Sequence, residues 1–391
     1  MAHTVDPAYR LLASRYLRRQ IKQLAEQMDG MLVAEDIEYV HRARVATRRL
    51  RSALRMFDGC FPARRVKRWR KAIRHITKEL GEARDCDVQI DYLCGVLSAA
   101  TSKGCFPGIA RLLVRLERQR ERLQGRVVRA IRRLEAAEVL REIRKATKRV
   151  LSAETPQISV QLPTYQRFER HIARRWDDLC QQQACLDNPA DHHGHHVMRI
   201  AAKRLRYTAE IARSVFAGQL DEAVNIIKKV QTLLGEVHDC DVWLANLDDF
   251  AADERQRIVS RFGHPGPFSR LQMGIEYLRH ERETHRSELF GELVAFWEQL
   301  RRDRFGERLL AVAHVETTAD RINVPAAAAT APLQDSDIAI PKSLDASLTK
   351  DIADPSLEGS RGANGNGNQG ESASDGTSEK PAAAHALTAG S

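Results

Sequence analysis

The chain has 391 residues, of which 43% are hydrophobic and 29% are charged, and this composition favours a folded protein with a buried core over a wholly disordered chain. No segment approaches the roughly 20 apolar residues of a membrane span, and the N-terminal residues lack the apolar stretch of a signal peptide, so we expect a cytosolic protein without membrane contact. Lysine and arginine total 62 against 52 acidic residues, and 49 of the 62 are arginines, an excess that favours phosphate-bearing partners.

Helical periodicity accounts for most of the chain, and we predict an all-α fold. The first helix begins at Asp6 and Pro7, a capping residue followed by a proline at the first helical position. We found no convincing strand pattern. The predicted helices lie near residues 6–28, 35–57, 62–80, 85–99, 107–134, 136–153, 163–184, 195–217, 219–234, 239–262 and 266–304.

The composition changes beyond residue 316, where Gly, Ala, Ser, Asn and Pro dominate. Such a segment cannot bury enough apolar surface to offset the entropy of ordering, so we predict a disordered, acidic tail at residues 316–391. From residue 318 onward the formal charge is −5, which leaves +15 on residues 1–317. The predicted helical part is therefore more basic than the whole chain.

Two motifs occur twice and in the same order. The sequence HRARVATRRLR at residues 41–51 recurs as HVMRIAAKRLR at 196–206, and LGEARDCDV at 80–88 recurs as LGEVHDCDV at 234–242. The offsets are 155 and 154 residues. Two motifs that recur at nearly one offset indicate a duplicated unit of about 150 residues, and hence two pseudo-symmetric halves.

The first repeated motif forms a ladder of positive charge when it is placed on a helix. One face of each copy is apolar and should pack on the core. Stacked like charges destabilise a helix by a few tenths of a kcal/mol per pair, so two such ladders predict an anionic ligand. The alternative is that acidic side chains of a neighbouring helix neutralise them. The ladders contain His41, Arg44, Arg48, Arg51 and Arg55 in the first copy, and His196, Arg199, Lys203 and Arg206 in the second.

The LGExxDxD motif predicts a tight corner between two helices. Gly81 and Gly235 suit the end of one helix, and Asp85 and Asp239 suit the N-cap of the next. The next acids of the motif, Asp87 and Asp241, would then lie in the first turn of that helix. We expect the remaining carboxylates, Glu82 and Glu236, to pair with the ladders. A divalent-metal site formed by these acids is the alternative.

Histidines and cysteines leave further possibilities. The run DHHGHH at residues 191–196 could bind a metal weakly, but it has no counterpart in the first copy, and we predict no metal site. The seven cysteines include no CxxC pair, which favours free thiols in a reducing compartment. Cys86 and Cys240 match across the repeat, and we expect small buried thiols there.

The two motifs together, each present twice, resemble those of the CHAD family, the conserved histidine α-helical domain. The resemblance covers roughly residues 5–304, with halves at about 5–155 and 160–304. It implies two pseudo-symmetric helical bundles around a basic groove or pore, binding of inorganic polyphosphate, and localisation to polyphosphate granules. The residues that match the family's motif are His41, Arg44, Arg48, Arg49, Arg51, His196, Arg199, Lys203, Arg204 and Arg206, and Arg55 extends the first ladder.

Non-catalytic polyphosphate binding is the function that the sequence favours, with no cofactor and no catalytic residue. A nucleic-acid-binding protein is the alternative, although the ladders lack interleaved aromatic residues for base stacking. An enzyme that acts on phosphoanhydrides is a third possibility, with Glu82, Asp85, Glu236 and Asp239 as candidate magnesium ligands. Some CHAD proteins carry a CYTH triphosphatase-like domain, which the polar segment beyond residue 316 is not expected to form.

Overall fold

The described part of the chain is built of helices joined by short connections. The computed structural model describes residues 6–34, 36–99, 103–153, 160 and 162–314, and these residues contain no β-strand. The predicted disordered tail lies outside them. The first half contains α1 (Pro7–Ala25), α2 (Met28–Val33), α3 (Ile37–Met56), α4 (Ala63–Ala99), α5 (Phe106–Ala136) and α6 (Val139–Ala153). The second half contains α7 (Leu162–Cys180), α8 (His192–Ala212), α9 (Asp221–Phe262), α10 (Ser269–Arg302) and α11 (Phe305–Ala313).

Aspartate side chains cap several helix N-termini. Asp6 accepts a hydrogen bond from the Ala8 amide at 3.0 Å and Pro7 follows it, so the predicted start of α1 is confirmed. Asp191 caps α8 by accepting from the Gly194 amide at 2.8 Å. These bonds satisfy amides that have no partner within the first helical turn.

The predicted corners at Gly81 and Gly235 are wrong, because α4 and α9 run without a break through both LGExxDxD motifs. Neither glycine has the positive φ of a C-terminal cap. The buried stripe of α4 continues through the motif, with Leu80 and Ala83 both inaccessible to solvent. The burial of this stripe outweighs the local preference of glycine for a helix end.

The same packing order occurs in both halves, which confirms a duplicated all-α fold. Helix α3 packs on α1 and α4, and α8 packs on α7 and α9. Helix α4 also lies along α5, and α9 along α10. The limits inferred from the family resemblance, residues 5–304 and the two halves within them, stay a prediction. The described helices continue through α11 to Ala313.

Two hydrophobic clusters hold the helices together. The larger draws on both halves, and the smaller joins the distal ends of α4, α5, α9 and α10, where Tyr92 meets Trp243 at 5.1 Å between ring centroids. There α5 and α10 approach closely: a Cβ added at Gly108 or Gly274 would lie 2.3 Å from a carbonyl oxygen of the other segment. Glycine at both positions therefore permits the approach of the two helices.

All seven cysteines lie among the described residues and are free thiols, and Cys86 and Cys240 are buried as predicted. Burial raises the pKa of each of these two thiols to about 11.

Among the described helices, none combines the length and apolar character that a bilayer span requires.

Candidate anion-binding site

The two basic ladders meet where α3 packs against α8. The apolar side of each helix is buried as predicted, with Leu50 of α3 and Leu205 of α8 both fully covered. The opposite sides carry the positive charges. We call the shared surface the central basic site, and it comprises Arg44, Arg48 and Arg51 of α3 with Arg199 and Lys203 of α8.

Four arginines lie close enough to Lys203 to lower its pKa. The pKa of its ammonium is lowered to about 7, chiefly by burial and then by the positive charges of Arg48, Arg199, Arg44 and Arg51, in that order. Three of these arginines belong to the other half of the chain. The five cations therefore share one space, which neither half forms alone.

The arginines of the site are also held against their electrostatic preference. Burial is the largest cause that lowers the pKa of Arg44, Arg51 and Arg199, and Arg48 lowers each of them further. Arginine keeps its proton in proteins, so the lowered pKa means an unfavourable charge rather than a neutral side chain. An anion bound there would relieve that cost.

The first aspartate of each LGExxDxD motif faces the central basic site. Asp85 lies 3.3 Å from Arg44, between Oδ1 and Nη2. Its counterpart Asp239 is exposed to solvent, yet desolvation raises its pKa, while Arg199 opposes the rise and Asp85 adds to it. A carboxylate that is both exposed and surrounded by protein lies in a concave surface. The two aspartates thus share a groove with the cations.

The second aspartate of each motif has a structural contact instead. Asp87 Oδ1 accepts a hydrogen bond from Arg120 Nε at 2.6 Å, and Asp241 Oδ1 accepts one from Arg286 Nε at 2.5 Å. These bonds tie α4 to α5 and α9 to α10. Both acids lie in the middle of a helix, so their predicted place in a first turn is wrong. They fix the long helices that carry the first aspartates.

The glutamates of the motif differ from the prediction. Glu82 pairs with Arg126 of α5 at 2.7 Å and with Lys78 at 3.7 Å, so its predicted pairing with a ladder is wrong. The helix continues through the motif, and its rotation turns this side chain toward α5. Glu236 occupies the equivalent, half-buried position on α9.

Arg49 and Arg206 contact a buried acid. Glu210 Oε1 lies 2.8 Å from Arg206 Nε, and its Oε2 lies 3.7 Å from Arg49 Nε. Arg49 is itself buried, on the side of α3 that faces the protein. Since Arg49 and Glu210 come from different halves, this contact joins the halves beneath the central basic site. We therefore leave Arg49 out of the ligand-facing set, while Arg204 and Arg55 remain exposed.

The ladder histidines lie beside a second base in both halves. The ring of His196 lies 4.6 Å, between ring centroids, from that of His238 on α9, and the two rings are tilted by 50°. At the equivalent place in the first half, Arg84 lies close enough to His41 to lower its pKa, although burial is the larger cause. Neither His238 nor Arg84 was identified from the sequence, where each occupies an unremarked position between the acids of the second motif.

The DHHGHH run separates in the structure. His192 Nδ1 lies 2.7 Å from Asp241 Oδ1, whereas His195 is buried with Nε2 2.9 Å from the Cys185 carbonyl oxygen. His196 lies near Arg199 and Lys203, whose charges, after burial, lower its pKa. Within the described ranges, no three His, Cys, Asp or Glu side chains form a group that could hold a metal ion.

Comparisons with known proteins give a family match. The sequence matches the CHAD domain model over residues 15–248. Similar solved structures include the CHAD domain from the plant Ricinus communis, with 19% identity and a TM-score of 0.49, covering 81% of this chain and 96% of that one. Another is PptA from Streptomyces chartreusis, with 17% identity and a TM-score of 0.46, covering 74% and 99%. No curated protein has a matching sequence.

Proposed function

The chain belongs to the CHAD family, and we propose that its central basic site binds inorganic polyphosphate without cleaving it. The observation that carries the proposal is the convergence of five cations from two halves on one groove, where burial and then the neighbouring arginines lower the pKa of Lys203 to about 7. Proteins do not gather like charges at this density for stability alone, because each added cation raises the cost of the others.

Two side chains of α8 beside the central basic site carry polar atoms that are left unpaired. Arg199 Nε and His196 Nδ1 are buried atoms without a hydrogen-bond partner among the described residues. A buried polar atom left unpaired costs about 1–3 kcal/mol. Phosphate oxygens accept charge-assisted hydrogen bonds from guanidinium groups, so Arg199 is a suitable partner for a phosphate.

The length of the ladders favours a linear polymer over a single phosphate. From His41 to Arg55, α3 advances about 21 Å at 1.5 Å per residue, and α8 contributes a second row beside it. One phosphate can meet the fork of one or two arginines. A chain that carries about one charge per phosphate can engage both rows at once, and each contact raises the effective concentration for the next.

Binding would then be an exchange of acidic partners. Asp85 is exposed and contacts Arg44, which is half-buried. An ion pair whose carboxylate is open to solvent contributes little to stability, so an incoming phosphate can replace the carboxylate at small cost. The aspartates would keep the arginines extended toward the groove before the ligand arrives.

Nucleic acid is the less favoured ligand. Tyr207, the aromatic residue nearest in sequence to the ladders, is buried between Arg48 and Arg206, with 5.9 Å and 5.3 Å from each guanidinium carbon to the ring centroid. A buried ring cannot serve as a stacking platform for a base. Competition between long-chain polyphosphate and DNA or RNA at fixed salt tests this preference.

The proposal of binding without catalysis is supported by the positions of the acids. Phosphoanhydride chemistry needs carboxylates that hold Mg²⁺ against the phosphates. Glu82 is turned toward α5, and Asp85 contacts an arginine. Release of orthophosphate from polyphosphate in the presence of Mg²⁺, absent in an Asp85→Asn variant, would overturn this part of the proposal.

Variants of the central basic site test the binding itself. We expect Arg48→Gln and Lys203→Gln to weaken capture by immobilised polyphosphate strongly, while circular dichroism and the melting temperature stay unchanged or rise. Arg132→Gln, at an exposed position of α5, removes the same charge away from the groove and is the matched control. If the ladders are only structural, the first two variants will melt earlier and bind no worse than the control. Co-localisation of the protein with polyphosphate granules in cells, lost in the same two variants, tests the cellular site.

A further inference from the structure

The N-terminal half of α4 is basic in a way that the repeat does not require. Residues 64–78 contain eight lysines and arginines and no acid. Lys67, Arg70 and Arg74 recur at intervals of three and four residues, so they form one stripe on this helix. Gly81 and Asp85 continue the same stripe toward the central basic site, about 27 Å from end to end.

The stripe is continuous with the central basic site. Burial lowers the pKa of Arg51, and Arg74 is the neighbouring charge that lowers it most. One turn further along α3, burial and then Arg51, Arg204 and Arg70 lower the pKa of Arg55. The positive side chains of α3 and α4 therefore lie side by side beyond the end of the groove.

Within the part of the chain that the structure describes, no acidic side chain forms an ion pair with Lys67, Arg70 or Arg74. Glu142 of α6 pairs with Arg68 and accepts a hydrogen bond from the Trp69 indole at 3.0 Å, on another side of the helix. Glu82 holds Lys78 at 3.7 Å, at the edge of the stripe. The charge of Lys67, Arg70 and Arg74 is thus presented outward: Lys67 and Arg74 are exposed, and Arg70 is half-buried.

The second half has no such stripe. The equivalent positions on α9, 154 residues later, are Asp221, Val224 and Lys228. Asp221 accepts a hydrogen bond from Arg213, and Val224 is buried in the larger hydrophobic cluster. Residues 218–232 carry two basic and two acidic side chains, and their formal charge is zero where the first half has +8. The pseudo-symmetry of the ladders is broken at this place.

We propose that the N-terminal half of α4 extends the central basic site on one side only, so that a linear polyanion longer than the groove leaves it along α4 and not along α9. The inference rests on the proposed function, because it concerns the path of the same ligand. It adds a second binding segment on α4, one side on which the bound polymer extends beyond the groove, and a preference for long over short polyphosphate.

A triple variant that removes three positive charges from the stripe tests the extension. Lys67→Gln/Arg70→Gln/Arg74→Gln should bind tripolyphosphate as the unaltered protein does, because a short ligand stays in the groove. Its affinity for long-chain polyphosphate should fall, and the slope of log affinity against log salt should become less steep by about two, at about 0.7 for each lost contact to a flexible polyanion. Melting temperature and circular dichroism verify the fold.

The matched control removes the same three charges elsewhere. Arg255→Gln/Arg261→Gln/Arg270→Gln alters exposed residues at the distal ends of α9 and α10, about 30 Å along α9 from Gly235. A loss of long-chain affinity no greater than in this control would overturn the extension. A separate variant, Arg48→Gln/Lys203→Gln, should lose both ligands. If it retains both, the proposed function fails, whatever the α4 variant does.

Lysine footprinting gives a second test on the unaltered protein. Long-chain polyphosphate should protect Lys67 and Lys71 from acetylation, while tripolyphosphate should leave them reactive. Lys229 of α9 is an internal control, since it is exposed in the half without the stripe. Equal protection of Lys229 and Lys67 by the long chain would show that the ligand leaves on both sides, and it would overturn the proposed direction.

Discussion

Lys203 should make polyphosphate binding sensitive to pH near neutrality. The pKa of its ammonium is about 7 in the ligand-free protein, because burial and the arginines around it disfavour the charge. A bound polyanion favours the charge and raises the pKa toward its ordinary value. Binding therefore takes up a proton wherever the free protein has lost it, and the affinity should fall about tenfold between about pH 6 and about pH 8.

The assay is a titration of long-chain polyphosphate at constant ionic strength across that range, with two conservative variants. Lys203→Arg keeps its charge at every pH used, so its affinity should change far less. Lys229→Arg, at an exposed site 3.3 Å from Glu292, should keep the unaltered profile. The pKa values of His41 and His196 are lowered, and their protonation adds to binding on the acidic side equally in all three proteins. Identical profiles for Lys203→Arg and the unaltered protein would refute the reasoning.

The lowered pKa of Lys203 also affects the stability of the protein in the absence of polyphosphate. Between about pH 7 and the ordinary lysine pKa of 10.5, the unfolded chain holds a proton on Lys203 that the folded protein has released. The contribution of Lys203 to the free energy of unfolding therefore rises with pH over this window. Stability thus rises with pH while the affinity for polyphosphate falls, so the two effects of Lys203 can be measured separately.

Other perturbations have definite expected results. Glu210→Gln should lower the free energy of unfolding by about 3–5 kcal/mol, because it removes a buried carboxylate shared by two arginines; an unchanged urea midpoint would contradict this. Gly235→Ala should raise the melting temperature and add up to about 1 kcal/mol to the free energy of unfolding, since nothing lies within 4 Å of the added Cβ. Gly274→Ala should lower the melting temperature, because its Cβ would lie 2.3 Å from a carbonyl oxygen. Raising salt should weaken polyphosphate binding steeply, and a nearly flat dependence would count against electrostatic recognition. Removal of residues 316–391 should leave helicity unchanged and affinity equal or slightly higher, a result that a large loss of binding would exclude.

The features that depend on periodicity could be predicted from the sequence. The two faces of α3 follow from the spacing of Leu50 and Arg48 alone. A helix turns by about 100° per residue, so these two side chains lie on opposite sides. The duplication follows from two motifs at one offset, and it implies that both ladders meet. The start of α1 at Asp6 follows from local capping chemistry.

The remaining features depend on contacts that local sequence does not encode. Gly81 resembles a helix end, but the apolar stripe that crosses it is buried on both sides, and packing overrides propensity. Arg49 belongs to the family's motif, yet its rotation on α3 places it beside Glu210 in the other half. Neither outcome can be found without knowing which helices lie against one another.

The shared hydrophobic cluster has a consequence for how such a fold can vary. Neither half covers its own apolar surface, and neither holds a complete site, so a chain of one half would have to pair with a copy of itself. A ligand on the axis of such a dimer meets identical surroundings in both directions. Joining the copies in one chain removes that constraint, and it permits Lys67 on one side where Asp221 stands on the other. A single polypeptide can thus bind a polymer that has no chemical polarity in an asymmetric way, with one side of the site differing from the other.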